Sequence, residues 1–243
     1  MNTAIIIQAR MTSTRLPGKI LKTVLGKPLL EYQIERLRRV QYADSIIIAT
    51  TLNETDQPII DFCNAMDIPF FRGSEEDVLS RYFYAAEKYK ADTVVRITSD
   101  CPLIDPGVID KVVQCFTGNY PQFDYVSNTQ TRSYPRGMDT EVFSARILKE
   151  IFYEAKDQSD REHVTGFIYR NTNKYRSANV SHLENYSAYR LTVDTAEDFE
   201  LIRRIIECLY PVNPLFALED IIKLLKDNPD LPLINSHIEQ KHY

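Results

Sequence analysis

At 243 residues the chain is long enough to bury a sizeable core, in one large domain or two small ones. Its 44% hydrophobic and 26% charged content is that of an ordinary globular protein, which excludes a disordered or low-complexity chain. The net charge of −5 excludes a general nucleic-acid or anionic-membrane surface, so any anionic ligand must meet a local basic patch.

The first element is "TAIIIQ", Thr3–Gln8, a β-branched run expected of a strand buried on both faces. It breaks into "ARMTSTRLPGK", where Thr12, Ser13 and Thr14 lie between Arg10 and Arg15 and Lys19 follows a Pro17-Gly18 turn. From Arg10 to Lys27 the cations are Arg10, Arg15, Lys19, Lys22 and Lys27, with no acid before Glu31. "KPLLEYQIERLRRV", Lys27–Val40, reads as a helix with Leu30, Ile34 and Leu37 on one face. Pro28 suits its first turn, and Glu35 is spaced to pair with Arg39. "SIIIATT", Ser45–Thr51, is a second buried strand, Glu75–Tyr89 a second helix, and "DTVVRITSD", Asp92–Asp100, a third strand. Pro106 opens a helix running to about Phe116. The stretch from about 123 to 189 is less regular and rich in Tyr, Asn and Ser. It reads as a substrate or dimerisation lobe within a single domain spanning 1–243. Thr195–Leu209 is a helix with Thr195 as N-cap and Asp198 as its capping-box partner. After Asn228, Pro and Asn residues predict a partly loose tail.

Alternating strands and helices predict an α/β layered sheet, in which ligands bind beyond the carboxyl ends of the strands. The cationic loop follows one such end and Asp100 another. A polyphosphate needs Arg forks, a Lys point charge and free backbone N–H groups, and "STRLPGK" supplies all three. The alternative is a solvated basic loop. Neither G-x-x-x-x-G-K-[ST] nor G-x-G-x-x-G is present. Asp100 and Asp194 each end a strand-like run, and together they can complete a two-carboxylate Mg²⁺ site on nucleotide phosphates. Taken singly, each also suits a turn or a helix N-terminus. Asp105, just before Pro106, fits a helix cap better.

Two further groups offer polar side chains for a substrate: Arg136, Asp139 and Glu141 in "YPRGMDTEVF", and Arg161, Glu162 and His163 in "SDREHVTGFIY". Each has a structural alternative. The remaining histidines lack zinc-site spacing, no G-x-S-x-G elbow is present, and Cys101 has no evident basic partner. Cys63, Cys101, Cys115 and Cys208 form no C-x-x-C pair and read as reduced thiols. There is no apolar run near the roughly 20 residues of a transmembrane helix, nor a signal-peptide pattern, so a cytoplasmic protein is expected.

"QARMTSTRLPGKIL" resembles the N-terminal signature of the cytidylyltransferases that activate sugar acids, with its nearest form in the 3-deoxy-manno-octulosonate (KDO) enzymes. Together with "RITSDCPLIDP", "YPRGMDTEVFS", "REHVTGFIY" and "LTVDTAEDFELI", it is more similar still to the spore-coat polysaccharide biosynthesis (SpsF-type) family. The resemblance implies a nucleotide-diphospho-sugar transferase-like fold, a three-layer α/β/α sandwich with a mostly parallel mixed sheet, and a homodimer through the middle lobe. It implies that Arg10, Ser13, Arg15 and Lys19 hold the triphosphate of CTP, and that Gln8 and Ala9 hold the cytidine. Asp100 and Asp194 would then be the carboxylates for Mg²⁺. The KDO enzymes carry a Q-G-D-E type segment where this chain has Thr98-Ser99-Asp100-Cys101, which leaves the acceptor open.

The expected reaction is transfer of CMP from CTP to a small sugar acid with release of pyrophosphate. Arg15, Lys19, Asp100 and Asp194 would be catalytic, and Arg136, Glu141, Arg161, His163 and Arg190 are the candidates for the sugar. The alternatives are a sugar-phosphate nucleotidylyltransferase, a glycosyltransferase of the same sheet type, and a non-catalytic nucleotide-binding partner in a glycan pathway.

Overall fold

The computed structural model describes residues 1–239. The chain runs β1 (Thr3–Gln8), a hairpin of β2 (Thr23–Val24) and β3 (Lys27–Pro28), α1 (Leu29–Leu37), β4 (Ser45–Thr51), α2 (Gln57–Ala65), β5 (Phe70–Gly73), α3 (Val78–Lys88), β6 (Thr93–Thr98) and α4 (Pro106–Gly118). It continues through β7 (Tyr125–Ser127), β8 (Glu141–Ser144), α5 (Ala145–Glu154), α6 (Gln158–His163), α7 (Gly166–Arg170), β9 (Ser177–Asn179), α8 (Ala196–Leu209) and α9 (Leu218–Asp227).

Among the described residues the main sheet has seven strands in the order β5-β4-β1-β6-β8-β7-β9. β1 pairs in parallel with β4 and with β6, and β4 in parallel with β5. β8 runs antiparallel to both β6 and β7, and β9 parallel to β7. The sheet is therefore mixed but mostly parallel.

Both faces are covered, which is why the first strand is apolar without alternation. Ile5, Ile7, Ile48 and Ile97 point to one face and pack with Ile34 of α1, Ile59 of α2 and Val112 of α4. Ala4, Ile6, Ile47 and Val94 point to the other and pack with Leu79 and Tyr82 of α3 and Ile147 of α5. The result is a three-layer α/β/α sandwich. A third cluster packs α8 and α9 against Leu29, Tyr32, Leu103, Tyr134 and Leu191.

Several local readings hold. Thr195 and Asp198 form the capping box of α8, and Asp105 caps α4 by accepting from Val108 N at 3.1 Å. Others change. The helix expected over Glu75–Tyr89 starts only at Val78, because Asp77 caps it by accepting from Ser80 N. The helix expected from Lys27 starts at Leu29, since Lys27 and the extended Pro28 are taken by β3. Glu35 does not pair with Arg39: it accepts from Lys27 Nζ at 2.5 Å and Tyr210 Oη at 3.1 Å, while Arg39 donates to Leu215 O. Partners from distant segments displace an exposed i,i+4 pair worth only about 0.3–0.5 kcal/mol. The stretch read as less regular supplies β7, β8 and β9 to the main sheet. The tail after Asn228 buries Leu231 and Asn235, and residues 240–243 lie outside the described part.

From β1 the chain winds outward through β4 to β5, then crosses back to place β6 on the other side of β1. The crevice between the carboxyl ends of β1 and β6 is thus the topological switch point, where α/β sheets bind ligands.

Candidate active site

Ser99 N donates to Gln8 O at 3.2 Å, tying together the two strand ends at the crevice. The cationic loop leaves β1 here and closes on itself, with Gly18 N donating to Met11 O at 2.9 Å. Gly18 takes φ +66, a conformation that glycine adopts without strain, and it launches a turn at Lys19–Leu21. The fully buried Asp56 anchors the loop from below, accepting from Met11 N at 2.7 Å and from the hydroxyls of Thr50 and Thr51. This is a held loop, and its central lysine is buried.

Lys19 Nζ donates to Asp100 Oδ2 at 3.0 Å and to Asp194 Oδ1 at 2.8 Å. Asp194 is brought there by a chain of backbone contacts. Val193 N and Thr192 Oγ1 donate to Asp100 O at 2.8 and 3.2 Å, and Asp194 N donates to Asp198 Oδ2 at 2.9 Å. Gly137 makes room for the same segment. At φ +99, an added Cβ would stand 2.5 Å from Leu191 O, where Leu191 N donates to Arg136 O.

The cluster is charge-dense. Arg15 lies 2.9 Å and Arg190 2.8 Å from Asp194 Oδ2, and Arg190 also forks onto Asp198 at 2.8 and 3.0 Å. Burial pushes Asp100 up, but the Lys19 ammonium and the Thr98 hydroxyl outweigh it and hold the carboxyl at about 2. Burial pulls Lys19 down, and Asp100 and Asp194 together more than reverse this. Asp100 and Lys19 both stay charged at neutral pH.

A cleft of about 580 Å³ opens above this cluster, a size that suits a small-molecule ligand. Of the residues singled out from sequence, Gln8, Ala9, Arg10, Ser13, Arg15 and Lys19 line it from the β1 side. Asp100, Asp194, Arg136 and His163 line it from the other. Arg190, Arg161 and Glu141 do not line it. Arg190 holds Asp198 and Asp194. Arg161 pairs with Asp77 and donates to Phe152 O at 2.7 Å. Glu141 is buried behind the wall, paired with Arg96 and accepting from the hydroxyls of Tyr125, Thr165 and Tyr169 at 2.6, 2.6 and 2.8 Å. These three work as struts because their charges are met by protein partners.

The cleft has two arginines that the sequence reading passed over. Arg96 projects from β6, locked by Glu141 and donating to Gln8 Oε1 at 3.2 Å. Arg81 on α3 is 2% exposed, yet among the described residues its Nε has no acceptor and its guanidinium makes only a long 3.4 Å contact to Ala49 O. The signal was present: a cation inside an apolar strand, "TVVRIT", and one on the buried face of a helix, "VLSRYFYAA". Glu75 was missed too. It binds Arg10 at 3.5 Å and accepts from Thr12 and Asn53.

Among the described residues no group of three His, Cys, Asp or Glu side chains could hold a metal by itself. Asp100 and Asp194, converging on one cation, are the number and type of carboxylate that would suit a magnesium ion on nucleotide phosphates. No helix of the described residues is long and apolar enough to cross a membrane.

The sequence profile of the family described as Cytidylyltransferase matches residues 4–231. The spore coat polysaccharide biosynthesis protein SpsF of Bacillus subtilis is 35% identical over 232 residues, 93% of this chain and 94% of that one. A 3-deoxy-manno-octulosonate cytidylyltransferase of Pelobacter propionicus is 34% identical over 114 residues, 47% of this chain and 44% of that one. The solved structure of a cytidylyltransferase from Leptospira borgpetersenii superimposes over the whole of both chains with a TM-score of 0.92 at 33% identity.

Proposed function

The chain belongs to the cytidylyltransferase family, and from that premise we propose that it transfers CMP from CTP to a hydroxyl of a sugar acid. The carrying observation is the meeting of Lys19 with Asp100 and Asp194 at the switch point, with Arg15 beside them. Two cations suited to phosphate and two carboxylates suited to a metal meet at one spot in the cleft, which supports the reading.

In the reaction the acceptor oxygen attacks the α-phosphorus of CTP. The bond to the bridging oxygen breaks and pyrophosphate leaves. Arg15 and Lys19 meet the charge that builds on the leaving group. Arg10 and Ser13 extend the same phosphate-binding wall. Gln8 and Ala9 face the cytidine, with Gln8 steadied by Arg96. Asp100 and Asp194 would hold Mg²⁺, which when bound supplies counter-charge to the phosphates. Arg136 and His163 also line the cleft and are the residues proposed to meet the acceptor. A surface polysaccharide is the proposed destination of the product, in keeping with the SpsF relative. A cytoplasmic homodimer formed through residues 123–189 is proposed with it.

The test is pyrophosphate release from CTP, UTP, ATP and dTTP with Mg²⁺ against a panel of 3-deoxy and nonulosonic sugar acids. Turnover with CTP and an acid is expected. Asp100→Asn is expected to lose about 10²–10³-fold in kcat with an unchanged circular dichroism spectrum. A fully active Asp100→Asn enzyme would sink the assignment.

A further inference from the structure

The oxygens of the two cleft aspartates are divided between partners. Asp100 Oδ1 accepts from the Thr98 hydroxyl at 2.6 Å, and Asp194 Oδ2 is held by Arg15 and Arg190 at 2.9 and 2.8 Å. The other oxygen of each, Asp100 Oδ2 and Asp194 Oδ1, is held by Lys19 Nζ at 3.0 and 2.8 Å. Lys19 is only 8% exposed, so the ammonium fills the space between them. Three carboxylates, Asp100, Asp194 and Asp198, here face three cations, Lys19, Arg15 and Arg190.

We infer that Lys19 is the built-in occupant of the cation seat between Asp100 and Asp194, so that a divalent ion enters only when substrate phosphates draw this ammonium away. The inference rests on the proposed roles of Asp100 and Asp194. A magnesium ion bound to both inner oxygens sits about 2.1 Å from each. It cannot share them with an ammonium in hydrogen-bond contact with the same two atoms. A divalent charge added to a balanced cluster is also repelled by three neighbouring cations at short range. The triphosphate of the nucleotide reverses both terms, since it offers Lys19 and Arg15 new anionic partners and brings the compensating negative charge. Metal and nucleotide therefore bind with positive coupling, and Lys19 carries the coupling.

The experiment titrates the full chain with Mn²⁺, reading free Mn²⁺ by electron paramagnetic resonance, without nucleotide and then with CTP. Wild type is expected to bind Mn²⁺ weakly alone and about tenfold or more tightly with CTP. Lys19→Gln, which keeps an N–H donor but removes the charge, is expected to bind Mn²⁺ alone about tenfold more tightly than wild type. It should gain little more from CTP. Adding Asp100→Asn to Lys19→Gln should erase that gain. Equal Mn²⁺ affinity in wild type and Lys19→Gln overturns the inference, as does a gain that survives Asp100→Asn. Tight Mn²⁺ binding by wild type without nucleotide also overturns it, and needs no variant to fold. A Lys19→Gln gain in a protein that binds no CTP supports the seat and overturns the cytidylyl-transfer reading instead.

Discussion

Arg190→Met tests whether Asp194 is held in place by a buried strut. Arg190 is 7% exposed and makes two charge-assisted bonds to Asp198, which is fully buried, and a third to Asp194. Removing one member of a buried pair leaves an uncompensated charge and costs about 3–5 kcal/mol. Asp198 keeps three donors, Asp194 N, Thr195 N and Asn235 Nδ2, so the lower end, about 3 kcal/mol, is expected. For a domain of this size that is a fall in Tm of about 6–12 °C. Adding Asp198→Asn removes the stranded charge, and the double variant should recover part of the loss. The assay is urea unfolding of wild type, both single variants and the double variant, evaluated as a double-mutant cycle. CTP binding is measured alongside, because Asp194 loses its bond to Arg190. A cost below about 1 kcal/mol, or strictly additive effects, would refute the strut.

Three other outcomes are expected. Gly137→Ala places a methyl 2.5 Å from a backbone oxygen at φ +99, so it should cost at least about 1–3 kcal/mol and weaken nucleotide binding, both readable by thermal shift with and without CTP. Arg81→Met removes a buried cation that makes no ion pair within 4 Å among the described residues. Stability should hold or rise while CTP or acceptor affinity falls, and a loss of stability with intact binding would refute a ligand role. Asp100 is held at about 2, below the ordinary carboxylate value, so its stabilising charge is complete above the ordinary range and is lost as pH falls through about 2. The stability difference between wild type and Asp100→Asn should therefore narrow as pH drops from about 5 towards 2. A constant difference would contradict it.

Legibility followed the range of the forces. The capping box of α8 and the Asp105 cap were readable because a cap is settled within three residues. The strands at Thr3–Gln8 and Ser45–Thr51 were readable because burial on both faces leaves an unbroken apolar run. The pairing of Glu35 was not, because its partners Lys27 and Tyr210 lie 8 and 175 positions away and only folding brings them in.

The candidate site divides in the same way. Residue type and local spacing by themselves determined that Arg10, Arg15 and Lys19 form one cationic loop after a buried strand, and that Asp100 ends another such strand. Only the tertiary structure decided that Lys19 lies between Asp100 and Asp194, which are 94 positions apart, because that meeting depends on the Thr192–Asp194 segment docking on the Asp100 carbonyl. It also decided which arginines face the ligand. Arg190 and Arg161 look as available in the sequence as Arg136, yet Asp194 and Asp198 claim the first and Asp77 the second, while Arg81 lies buried at the cleft wall with no ion pair among the described residues. A charged side chain's role is set by which opposite charge reaches it first, and that is a property of the fold.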